Sequence, residues 1–318
     1  MIPDTGRLSF QSVRCLRPEG FRRMAWTEWG ISQKYKKPAV VCAHGLTRCG
    51  RDFDWLASYL SDTHRVICPD VLGRGESDWL DDPQGYTYTG YLSDMTTLIA
   101  ALGVQDLAWV GTSMGGLIGL LLAALPHTPI RALVLNDIGP FISSTSLEPL
   151  VQYVRCSGPF TSFSEAHHIL SQRYAEFGPM SAEQKEHLIR TSLRPVVGES
   201  DIWRMHYDPK IADVFLEACT QNIDLWSVWD AVYIPVLVLR GQDSDLLSRE
   251  TCERMSCKEN VTVHEIPECG HAPSLMPEEQ IQIVLRWMEK HFLHEALGRH
   301  DTSEELKRTF FKGRGVSS

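Results

Sequence analysis

A chain of 318 residues can hold one large α/β domain with an insertion, or two ordinary domains, and in either case bury a sizeable core. Its 43% hydrophobic and 22% charged residues exclude a fibrous or disordered protein. With 31 Lys plus Arg against 40 Asp plus Glu, the net charge of −9 argues against gripping nucleic-acid phosphates, and the greasiest run, 117–125, falls short of the roughly 20 apolar residues of a membrane span.

The N-terminus carries no long apolar stretch, so a cytoplasmic protein is expected. The nine cysteines, an odd number with no CxxC pair and no zinc-type His spacing, predict reduced thiols and no metal. Cys42 and Cys68 lie in apolar runs and are predicted core residues; Cys269, two positions before His271, is flagged as an oxidation liability.

In chain order, a buried strand is predicted at 38–44, then a helix with Phe53, Leu56 and Leu60 on one face, then a strand at 64–70. The stretch "YLSDMTTLIAALG" predicts a helix stopped by Gly103. A strand at 107–111, an apolar helix from about Met114 to Leu125 and a strand at 131–137 follow. From 139 to 229 the sequence breaks into short helical pieces between Gly/Pro turns, which predicts an all-helical insertion. Strands return at 234–241 and 261–267, with a helical stretch at 247–257 between them and an amphipathic helix at 277–292 after them. The predicted division is a core of 1–138 and 230–292, an inserted cap of 139–229, and a tail of 293–318 that adds a short helix and frays.

The stretch "LAWVGTSMGGLIG" places Ser113 between a strand and a helix, flanked by Gly111 and Gly115. A serine hydroxyl attacks a carbonyl only when it stands clear of the sheet beside a base. A very sharp strand-to-helix turn achieves this, and small flanking residues make room for it, which is the G-x-S-x-G nucleophile elbow. The helix start offers the N–H of Met114 to a developing oxyanion. The glycine of "HGL" after the first predicted strand suggests the N–H of Leu46 as a second donor. A glycine-flanked serine on its own is more often a helix N-cap; the surrounding strand, helix, HG loop, downstream acid and histidine favour catalysis.

With "HGLTR", "PDVLGRGESDW", "VGTSMGGLIG", "LVLNDIGP", "LVLRGQDSDLLS" and "GHAPSL", the chain to about residue 292 resembles an α/β-hydrolase-fold serine hydrolase. The resemblance implies a mostly parallel eight-stranded sheet flanked by helices, a helical cap after the sixth strand, and a Ser, acid, His order. It places the histidine at His271, in the loop after the last strand, and gives His44 a backbone-bonding role in the oxyanion loop. For the acid it favours Asp245, with Asp243 as the alternative two positions after Gly241. Many hydrolases of this fold carry the acid three positions after that glycine, where neither aspartate stands. Asp137 is a further candidate because some of these hydrolases take the acid at the end of the sixth strand; a carboxylate anchoring the sheet edge is the competing reading.

These residues predict ester hydrolysis through an acyl-enzyme on Ser113, with no cofactor, a small-molecule ester or acyl substrate, and no nucleic-acid partner. Thioester, lactone, amide and carbon–carbon bond cleavage stay open on the same triad, as do a receptor-like protein with slow turnover and a homodimer. A serine at the elbow disfavours dehalogenase and epoxide hydrolase chemistry, which needs a carboxylate nucleophile. Arg74 and Glu76 are expected to form a salt-bridged turn, and Arg48 and Arg51 to be solvated or to meet a substrate carboxylate. Phe160, Phe163, Trp203, Trp226 and Trp229 are expected in the cap's own core rather than around an acyl pocket.

Overall fold

The computed structural model describes residues 8–30, 38–155, 158–218 and 220–293. Its central sheet has eight strands: β1 (Leu8–Arg17), β2 (Gly20–Trp29), β3 (Ala39–Ala43), β4 (Arg65–Pro69), β5 (Leu107–Thr112), β6 (Ile130–Asn136), and, after a long insertion, Val236–Gly241 and Val261–Ile266. The insertion contributes β7 (Phe141–Ile142), β8 (Leu193–Val196), β9 (Glu199–Met205) and β10 (Ile223–Asp224), so the last two strands of the large sheet are β11 and β12. The order across it is β1-β2-β4-β3-β5-β6-β11-β12. Pairing is antiparallel for β1–β2 and β2–β4 and parallel elsewhere. Every residue of β3 and β4 is buried, which is why both read as unbroken apolar runs: a parallel sheet is covered on both faces.

The helices of the core are α1 (Asp54–Leu60), α2 (Tyr88–Leu102) and α3 (Met114–Ala123) before the insertion. In the insertion lie α4 (Ser144–Arg155), α5 (Phe163–Arg173), α6 (Ala182–Ser192), α7 (Ile211–Ala218) and α8 (Trp226–Asp230), and after it α9 (Arg249–Met255) and α10 (Glu278–Met288). Gly103 ends α2 in the left-handed conformation, φ 65°, as its position predicts. Helix α1 packs on α10 and α2 on α3. Among the described residues no helix is long and apolar enough to cross a membrane.

Two features depart from the sequence expectation. The hairpin β1–β2 carries no clean apolar alternation because two charged residues point inward: Arg17 pairs with Asp94, and Glu28 with Arg65 at 2.7 Å, all four side chains being buried. The insertion is not all-helical. β8 and β9 form a hairpin turning at Gly198, φ 89°, and β7 pairs with β10 across the length of the insertion. The polar start of β9, "ESD", hid its alternation. The tail beyond Leu293, with its expected short helix, lies outside the described residues.

Candidate active site

Ser113 follows β5 directly and has φ 51°, ψ −117°, a left-handed region that costs a non-glycine residue about 1–3 kcal/mol. The elbow is held because its neighbours have no side chains. A Cβ on Gly115 would collide with the Ala43 carbonyl, and one on Gly111 with the Gly115 and Gly116 backbone. The Ser113 N–H bonds to the Asn136 carbonyl at 3.0 Å, fastening the turn to the end of β6.

His271 lies between β12 and α10, with Nε2 3.1 Å from the Ser113 hydroxyl and Nδ1 2.7 Å from Oδ2 of Asp137. These partners fix the tautomer: Nδ1–H donates to the carboxylate, and Nε2 is left to accept the serine proton. Its loop is gripped from three sides. The Gly270 N–H donates to the Glu176 carbonyl and the Ser274 N–H to the Phe177 carbonyl, both in the insertion, and the buried Asn136 amide donates to the Pro273 carbonyl at 2.8 Å and to Thr112 at 3.0 Å.

The structure places Asp137, rather than Asp245 or Asp243, against the histidine. Asp137 comes directly after β6, takes φ 54°, and keeps its N–H on the Leu239 carbonyl of β11 at 2.7 Å. Its fully buried carboxylate accepts from the Gly241 N–H at 2.8 Å and the Ser244 hydroxyl at 2.6 Å as well as from His271. Past β11 the turn closes with the Ser244 N–H on the Gly241 carbonyl, so the side chain delivered to this position is Ser244. The two flanking aspartates are exposed: Asp243 spends its N–H on the Cys269 carbonyl, and Asp245 lines the cavity wall.

Leu46 and Met114 both border the cavity that contains Ser113 and His271. An ideal Cβ on Gly45 would lie 3.8 Å from the Ser113 Cβ, so the HG loop passes directly beside the Ser113 side chain. His44 fixes that loop: its ring bonds the Gly45 carbonyl at 2.7 Å, and its Nε2 accepts the Val71 N–H at 3.0 Å. Complete burial pushes its pKa down to about 3, so it stays neutral and keeps both bonds.

The cavity has a volume of about 510 Å³ and is mostly apolar, closed over by insertion residues such as Leu147, Val154, Ile211 and Phe215. None of the five aromatic residues expected in the cap core lines it. Phe163 packs edge-on against Trp203, Phe160 bridges to Trp203, Trp229 is buried, and Trp226 lies 3.7 Å beneath the Arg254 guanidinium.

The arginines differ from expectation. Arg74 does not pair with Glu76; it is buried and donates to the Leu46 and Leu72 carbonyls, while Glu76 faces His206 at 3.5 Å. Arg48 is buried, gripping both oxygens of Asp52 at 2.8 and 2.6 Å and reaching the Tyr174 hydroxyl of the insertion at 2.6 Å. Arg51 bonds Asp54 at 2.7 Å. Cys269 is buried and its thiol is pushed up to about 11, chiefly by burial. Among the described residues, no cluster of three or more His, Cys, Asp or Glu is placed to hold a metal. Ser244, Asn136 and the inward role of Arg74 were missed from sequence; the signal for Ser244 was its place three positions after Gly241.

Comparison with known proteins identifies the fold. Residues 40–283 match the model of the alpha/beta hydrolase family. The chain is 45% identical over 284 residues to a 3-hydroxybutyrate-oligomer hydrolase of Cupriavidus necator, covering 87% of this chain and 96% of that protein. It is 25% identical over 266 residues to a 2-(acetamidomethylene)succinate hydrolase of Mesorhizobium japonicum, covering 81% of this chain and 91% of the relative. A crystal structure of an alpha/beta hydrolase from Novosphingobium aromaticivorans superposes with a TM-score of 0.79 at 34% identity, over 89% of this chain and 98% of that one. The chain belongs to the alpha/beta hydrolase family and is a hydrolase.

Proposed function

We propose that this hydrolase cleaves carboxylic esters through a covalent acyl-enzyme on Ser113, and that its substrates are short oligoesters of hydroxy acids. The observation that carries the reading is the unbroken relay from the Ser113 hydroxyl through His271 to Asp137, at 3.1 and 2.7 Å. In this reading His271 takes the serine proton as Oγ attacks the ester carbonyl, and the Leu46 and Met114 N–H groups receive the oxyanion. Asp137 holds the ring and stabilises the imidazolium. His271 then returns the proton to the departing alkoxide, and the same steps with water release the acid.

The substrate class is supported by two things: the similarity to the 3-hydroxybutyrate-oligomer hydrolase along nearly its whole length, and an apolar cavity roomy enough for several small ester units. The test is release of monomer from a purified 3-hydroxybutyrate trimer, followed by chromatography, with the natural chain and with Ser113→Ala. Turnover in the first and none in the second is expected. Trimer left intact by a protein that hydrolyses p-nitrophenyl butyrate would keep the esterase and remove the oligoester; equal turnover by both chains would remove the serine mechanism.

A further inference from the structure

Arg74 is completely buried and sits where three parts of the molecule meet. Its Nε donates to the Leu46 carbonyl at 2.8 Å, and Nη1 donates to the Leu72 carbonyl at 2.9 Å and the Tyr91 hydroxyl at 2.8 Å. Nη2 rests on the Met114 sulfur at 3.6 Å. Leu46 and Met114 are the two residues whose N–H groups are assigned to the oxyanion, and they arrive from different elements, the loop after β3 and the start of α3. One side chain therefore touches both.

The same turn is the seat of the insertion. Arg74 forms a backbone bridge with Tyr207, the Gly75 N–H donates to the His206 carbonyl at 2.9 Å, and the Asp208 N–H donates to the Gly73 carbonyl at 2.7 Å. The Tyr86 hydroxyl, whose ring lies 5.6 Å from the guanidinium, donates to Asp208 at 2.7 Å. The backbone of Arg74 is thus fixed from the insertion side while its head group is fixed from the nucleophile side.

The acceptors of the guanidinium are two carbonyls, a phenol and a thioether, all uncharged. A buried cation without an anion among these contacts is costly to desolvate, and an apolar side chain of similar length would fill the space at lower cost. The nearest buried carboxylate on these contacts, Asp208, stands behind the Tyr86 hydroxyl, so the guanidinium is spent on holding neutral groups of the turn, the HG loop and α3 in place.

We propose that Arg74 is a positioning residue for the oxyanion hole: by binding the Leu46 carbonyl and resting on the Met114 sulfur it holds those two residues in mutual register, from a turn on which the insertion is seated. This rests on the serine-hydrolase reading above. It requires that the contribution of Arg74 be made in the transition state and not in substrate binding.

The experiment compares Arg74→Gln and Arg74→Lys in the full chain, reading kcat and KM on p-nitrophenyl butyrate, inhibition by an alkyl boronic acid that forms a tetrahedral adduct with the serine, and inhibition by the product butyrate. For Arg74→Gln, kcat falls about 100-fold, the size of a lost oxyanion donor, boronate inhibition weakens in parallel, and KM and butyrate inhibition hold within about threefold. Arg74→Lys, which keeps the charge but not the fork, loses about tenfold in kcat with a matching boronate loss, and carries the test by itself if the glutamine variant does not fold. A kcat within about twofold of the natural chain, or a loss shared equally by KM and butyrate inhibition, overturns the proposal. Ester hydrolysis persisting in Ser113→Ala would instead overturn the reading beneath it.

Discussion

The Ser244 hydroxyl donates to Oδ2 of Asp137 at 2.6 Å, the same oxygen that faces Nδ1 of His271. The direction of that bond is forced, because the Ser244 oxygen already accepts the Leu246 and Leu247 N–H groups at 3.3 and 3.1 Å, leaving its single proton for the carboxylate. Ser244 thus occupies the place three residues after Gly241 and holds the Asp137 carboxylate that faces the histidine. Removing the hydroxyl frees the carboxylate to rotate away from the ring. Ser244→Ala is expected to lower kcat about tenfold, with KM little changed and Ser244→Thr close to the natural chain, in steady-state rates on p-nitrophenyl esters. Equal kcat in the alanine variant would show that Gly241 alone orients Asp137.

His44 makes folding sensitive to acid. In the unfolded chain it takes up a proton below its ordinary value of 6.5, whereas in the folded chain burial holds it neutral down to about 3. Between those values the unfolded state binds more protons, so this residue's contribution to stability falls as the pH falls, by up to about 1.4 kcal/mol per pH unit. Asp70 and Asp94 act in the opposite sense. Burial raises each from 3.8 to about 6, so the folded state binds the extra proton over that range and is favoured as the pH drops. Comparing the natural chain with His44→Asn cancels the two aspartates. Urea unfolding at pH 7 and pH 5 should show the stability gap between the two proteins narrowing toward acid by about 1–2 kcal/mol; a constant gap would mean that His44 titrates normally in the fold.

Gly115 tests the elbow without touching the reacting groups. An added methyl group meets the backbone carbonyl of Ala43, which belongs to a central strand and has no room to withdraw, and lies 2.8 Å from the His44 carbonyl. Gly115→Ala is therefore expected to cost about 3 kcal/mol or more in urea unfolding, the scale of a forced backbone shift. A loss below about 1 kcal/mol would show a looser turn than the contacts imply.

The parallel half of the fold was legible in the sequence because β3, β5, β6 and β11 are buried on both faces, and a short unbroken apolar run between turn residues is what such a strand requires. Ser113 was legible for a related reason, since it ends such a strand in a turn where Gly111 and Gly115 leave no room for a side chain; His271 was legible from its place in the loop between the last strand and the final helix. The carboxylate partner of His271 was not, since Asp137, Asp243 and Asp245 all follow strand ends and only three-dimensional direction separates them. Asp137 is selected by its left-handed backbone and by its place beside the end of β11, neither of which leaves a mark in residue type. The β1–β2 hairpin was hidden by Arg17 and Glu28, whose partners Asp94 and Arg65 lie far away along the chain. Arg74 misled for the same reason: an arginine beside a glutamate in a Gly-rich turn suggests a local ion pair, and apart from the Leu72 carbonyl its partners, Leu46, Tyr91 and Met114, lie in other elements.

The most direct test of the account is kcat on p-nitrophenyl butyrate for Asp137→Asn beside Asp245→Asn. With Asp137 as the acid, the first variant keeps its shape but stabilises the wrong histidine tautomer, and kcat should fall about 10³- to 10⁴-fold, while the second stays within a few-fold of the natural chain. A large loss in Asp245→Asn together with near-normal turnover in Asp137→Asn would contradict the arrangement described here and return the acid to the loop after β11.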